Sequence, residues 1–153
     1  MNARLLSTLA AVTALAAAAA PAASAAPKKP KVVKASWTVS LPVPFPMSED
    51  IPTGHGCHQG AESATKNSRE ITLPANGVFQ GQVNYSGDWD LYLFDASGSI
   101  IAASETDETG STGAGTEKLT FKKGVKGKKV TLVACNWAGL KDATVSYVFT
   151  YAK

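Results

Sequence analysis

The chain has 153 residues, with 15 Lys and Arg against 12 Asp and Glu, and a formal net charge of +3. That balance is too mild to imply a nucleic-acid partner, which calls for a strongly basic face. The length suits one domain with a sizeable core.

The N-terminus reads as an export signal. Arg4 supplies a short positive region, and Leu5 to Ala20 runs without a charge. Pro21 breaks the run, and Ala23-Ser24-Ala25 offers the small residues that a signal peptidase accepts. Cleavage is expected after residue 25. A membrane anchor is the alternative, but the run is short of the ~20 apolar residues of a spanning helix. The mature protein is therefore expected outside the cytoplasm, with no membrane insertion. Loss of Arg4 takes the charge from +3 to +2. Residues 26–47 read as a Pro/Lys-rich leader and edge segment, and 48–153 as the folded domain.

Two cysteines remain, Cys57 and Cys135. In an oxidising compartment an even pair is usually a disulfide. Closing a loop of about 78 residues contributes ~4.5 kcal/mol in the chain-entropy account. A metal site at His55, Cys57 and His58 is the competing reading, although that spacing fits no common zinc pattern.

Along the chain, Pro42, Pro44 and Pro46 confine their segment to a sheet edge or an extended lead-in, because proline cannot donate to a ladder. From Glu70 onward the period is two. Phe79, Val83 and Tyr85 alternate with Gln80, Gln82 and Asn84. Trp89 to Phe94 is apolar on both faces and reads as a central strand, as does Val130 to Cys135. Ser99 to Ser104 and the Leu119/Phe121 pair mark two more. Ala143, Val145, Tyr147, Phe149 and Tyr151 define the last. Asp95-Ala96-Ser97-Gly98 has the chemistry of a type I hairpin turn with a bulge. Gly124 to Gly127 can close another hairpin. The fold class is all-β: a β-sandwich, jelly-roll-like, with seven to eight short antiparallel strands and one disulfide. Phe79, Val83, Leu91, Leu93, Leu132, Val145, Tyr147 and Phe149 are the expected core.

The stretch from Gly87-Asp88-Trp89-Asp90-Leu91-Tyr92-Leu93-Phe94-Asp95 through Gly98 to Ser104 resembles the centre of the bacterial pre-peptidase C-terminal (PPC) domain family. The likeness extends over roughly residues 71–151, here as a stand-alone secreted form. It implies a jelly-roll-like sandwich without catalytic activity. Some relatives bind collagen or polysaccharide, and some bind calcium. Lys128-Lys129-Val130 stands where the family often has Gly-x-Tyr-Tyr.

Candidate sites follow from the residue types. Asp88 and Asp90, two apart on one strand face, are ~7 Å apart along the strand. With Asp107 and Glu108 from a glycine-rich loop they are candidate Ca²⁺ ligands, since calcium takes about six to eight oxygens. The alternative is that Asp90 is an internal hydrogen-bonded acid. Tyr92, Trp37 and Trp137 are a candidate ligand surface, or else core residues. No Gly-x-Ser-x-Gly motif is present, and the two histidines, His55 and His58, sit beside Cys57. No catalytic residue is assigned. The expected function is a secreted, non-catalytic binding module contacting an extracellular protein or polysaccharide, with calcium as a possible aid. A small secreted hydrolase with an unrecognised site is the alternative. An inhibitor presenting the Gly110 to Gly115 loop is a third.

Overall fold

Eight strands carry the period-two pattern into two four-stranded sheets. The computed structural model describes residues 29–42, 56–59, 62–106, 113–122 and 127–152, without the side chain of Cys57. The strands are β1 (Lys31–Ser40), β2 (Lys66–Thr72), β3 (Gly77–Ser86), β4 (Trp89–Asp95), β5 (Ile100–Ser104), β6 (Ala114–Phe121), β7 (Lys129–Asn136) and β8 (Asp142–Tyr151). The order is β1-β8-β3-β6 in the first sheet and β2-β7-β4-β5 in the second. Every pairing between these strands is antiparallel. The only helical turn among the described residues is a 3-10 turn, Cys57–Gln59.

The topology is nested. The outermost strands pair, β1 with β8, then β2 with β7, β3 with β6, and β4 with β5. One long antiparallel hairpin rolled into two layers produces this order, as in eight-stranded jelly rolls. The layers share one core. Phe79, Val83, Val145 and Phe149 from the first sheet meet Leu91, Leu93, Leu132 and Ala134 from the second. Seven of the eight expected core residues are buried, and Tyr147 packs against them half-exposed.

Two expectations need correction. The sheet begins at Lys31, inside the segment read as leader, because Ala35, Trp37 and Val39 alternate inward and pair along β8. The lysines and valines at its start hid that period. In addition, β6 and β7 lie in different sheets, so these two strands do not pair as the hairpin expected around Gly124 to Gly127. Turn chemistry reports a local bend and says nothing about which sheet the chain enters next.

One end is bolted by two sheet-crossing connections. Gly87 has φ +93°, and a Cβ there would collide with Gly139 Cα. A Cβ on Gly139 would sit 2.5 Å from Trp89 Cδ1. These glycines let the β3–β4 and β7–β8 connections touch. Trp137 N and Ala138 N donate to Asp88 O at 3.1 and 3.0 Å, and Leu140 N donates to Ser86 O at 2.8 Å. Asn136, fully buried, donates to Leu41 O and accepts from Gly139 N at 2.7 Å.

The second sheet is covered on its outer face as well. Tyr92, Val133, Cys135 and Trp137 form a second buried cluster, with Phe94 packed against it. His58, from the 3-10 turn, lies over that cluster. This explains why β4 is apolar on both faces.

Candidate functional site

The acids singled out in the sequence are placed first by β4. Asp88 is 1% exposed at the strand entry and Asp90 is 0% exposed. Tyr92 Oη donates to Asp90 Oδ2 at 3.3 Å. Asp107 and Glu108 lie outside the described residues. Among the described residues, no group of three or more His, Cys, Asp or Glu side chains is arranged to hold a metal ion. His55 also lies outside them. The pairing of Cys57 with Cys135 involves a side chain outside the described set. Cys135 itself is buried on β7, and no described cysteine is free.

The three aromatic residues expected to share a ligand surface do not share one. Tyr92 is fully buried and Trp137 nearly so. Trp37 faces inward from β1, its Nε1 donating to Asn67 Oδ1 at 3.1 Å, with the Arg69 guanidinium 4.4 Å over its ring. Alternation marks a residue's face. It does not reveal that a later segment will cover that face.

Burial pushes the Tyr92 phenol far above its ordinary range, and the negative charges of Asp90 and Glu105 add to this. A raised folded value means that its contribution to stability is present below the unfolded value of ~10 and is lost as pH rises beyond it. Of the four tyrosines, Tyr92 is expected to ionise only as the protein unfolds in alkali. Absorbance at 295 nm followed alongside circular dichroism checks this. Reversible ionisation of all four in the folded protein would contradict it.

A groove opens on the uncovered half of the second sheet's outer face. Its volume is about 460 Å³, and its floor is Phe94, Thr131 and Val133. Glu70, Thr131 and Phe94 fall in one row across β2, β7 and β4, with neighbouring strands ~4.8 Å apart. One end is walled by His58, whose ring meets Tyr92 edge-on at 4.6 Å and lies 5.6 Å from Phe94. There Lys66 Nζ donates to His58 O at 2.8 Å. The other end is the β4–β5 turn and the Lys129–Glu70 ion pair, 2.8 Å apart. An adjoining hollow of about 420 Å³ continues past the turn to Lys128.

No family model matches the chain, and no curated protein does. Function is therefore read from the site's own chemistry.

The turn that walls the groove is rigid for a local reason. Asp95 Oδ1 accepts from Ser97 Oγ at 2.6 Å, Ser97 N at 2.8 Å and Ser99 N at 3.0 Å. Gly98, at φ +81°, closes the turn. Those bonds, led by the Ser97 hydroxyl, hold the Asp95 carboxyl below the usual carboxylate range. A glycosidase acid needs the opposite shift. Three other placed carboxylates have partners. Glu70 faces Lys129, Asp90 accepts from Tyr92, and the buried Glu117 accepts from Tyr85 Oη at 3.2 Å and from Ser104 Oγ.

Glu117 and the groove itself were not found in the sequence. Glu117 sits at an inward position of β6, where a charged residue is rare. Phe94 shares a face with Asp90 and Tyr92, which was visible in the period. That it lies just beyond the cover over Tyr92 is a tertiary fact.

Proposed function

We propose that this protein is a secreted, non-catalytic binding module that contacts an extracellular polymer through the groove over Phe94. The observation that carries the reading is the groove's composition. It presents an aromatic ring beside hydrogen-bonding side chains, and its carboxylates are engaged in a turn and an ion pair. Concave, mostly preformed surfaces of roughly 300–1,000 Å³ with a few convergent polar groups are typical ligand sites. The signal-like N-terminus, the proposed Cys57–Cys135 bridge and the resemblance to PPC domains support the same reading. The hydrolase alternative requires an acid–base pair or a Ser–His arrangement.

Co-sedimentation of the mature chain with insoluble cellulose, chitin, peptidoglycan and collagen tests the proposal. Retention on at least one polymer is expected, with no release of soluble fragments. In this reading Asp90 is an internal acid bonded by Tyr92, so retention is expected to be equal in CaCl₂ and in EDTA. Retention lost in EDTA and in Asp90→Asn would restore calcium as an aid. Retention on none of the four, or progressive polymer breakdown, would contradict the proposal.

A further inference from the structure

We infer that the groove takes an uncharged glycan segment, one sugar ring stacking on Phe94 and its hydroxyls bonding to Glu70, Thr131 and Lys129. The inference rests on the groove being the binding surface, as proposed above. Charge is the first argument. The groove's lining holds two lysines, Lys66 and Lys129, against two carboxylates, Glu70 and Asp95. Lys129 and Glu70 neutralise each other at 2.8 Å. Asp95 turns its Oδ1 into its own loop, and Lys66 points its ammonium to the His58 carbonyl. Lys128, in the adjoining hollow, lies near enough to Asp95 to lower its pKa. A lining balanced in this way provides little field to gather a polyanion or a polycation.

Hydroxyl chemistry is the second argument. A sugar hydroxyl donates and accepts at once, so it is best met where a donor and an acceptor stand side by side. Lys129 and Glu70 form such a pair, and Thr131 offers both roles within the same row. Phe94, half-buried in that row, supplies the apolar face. Its ring is propped by His58 at 5.6 Å and Tyr92 at 6.4 Å, so it loses little freedom on contact. A peptide ligand would find no unpaired strand edge in the groove floor, which is formed by the internal strands β7 and β4.

The test titrates the mature chain with a soluble neutral β-glucan, with dextran and with polygalacturonate, at low and high NaCl. Saturable binding to a neutral glucan, unchanged by salt, is expected. Phe94→Ala should weaken it roughly tenfold. Glu70→Gln, at an exposed position that does not threaten folding, should weaken it several-fold. Binding to polygalacturonate alone, lost in salt but sensitive to Phe94→Ala, would overturn the uncharged class and leave the groove as the binding surface. Neutral-glucan binding indifferent to both variants would overturn the groove as well. Retention on collagen with no glycan binding would overturn the inference and leave a binding module.

Discussion

Trp89→Ala is expected to remove about 3–5 kcal/mol of unfolding free energy. Trp89 is fully buried, and its Nε1 donates to Leu140 O at 3.0 Å. Its ring lies against Gly139, where even a Cβ has no room. The substitution therefore leaves a cavity and loosens the contact between the two connections that cross the sandwich. Total stabilities of single domains are only about 5–15 kcal/mol, so the loss should be plain in a urea titration. The midpoint should fall while the slope stays near its original value. A loss below about 1 kcal/mol would mean that Trp89 does not anchor that end.

The second large effect is expected at Glu117. Its carboxylate is 2% exposed within the sandwich, accepting from Tyr85 on β3 and from Ser104 at the end of β5. It thereby ties the two sheets together across β6 and β5. Glu117→Leu puts an apolar side chain of similar size there but takes the acceptor from the buried Tyr85 hydroxyl and from the half-buried Ser104 hydroxyl. A buried hydroxyl left without its bond costs about 1–3 kcal/mol. We expect a total loss of roughly 2–4 kcal/mol. Removing the partner as well should recover part of it, because an unmade bond costs more than an absent one. Glu117→Leu combined with Tyr85→Phe is thus expected to be more stable than Glu117→Leu alone. Equal or lower stability of the double variant, measured in the same urea series, would show that the Tyr85 bond contributes little.

Those two residues also show how the sequence informs and where it stops. The interiors of β3, β4, β7 and β8 are legible because each buries a continuous set of alternate positions, such as Phe79, Val83 and Tyr85 on β3. β2, with the sequence KNSREIT, is an edge strand whose burial is confined to Ile71, so no alternation marks it. β6 begins in glycine-rich sequence and turns Glu117 inward, which breaks the pattern at the point that matters. The acids Asp88 and Asp90 are conspicuous in sequence, yet their surroundings are set by the β7–β8 connection and by Tyr92. The groove is legible least of all. Its ring, its ion pair and its wall come from β4, from β2 with β7, and from the turn carrying His58. Only the rolled-up topology brings these together.

The most direct test of binding through this groove is an amide chemical-shift map of the ¹⁵N-labelled mature chain, recorded as a soluble neutral β-glucan is added. The account predicts saturable shifts concentrated at Lys66, Glu70, Phe94, Lys129 and Thr131, with the glucan unchanged in length after prolonged incubation. Shifts confined to the outer face of the first sheet, around Gln82 and Ser146, would contradict it, as would a steady release of reducing ends.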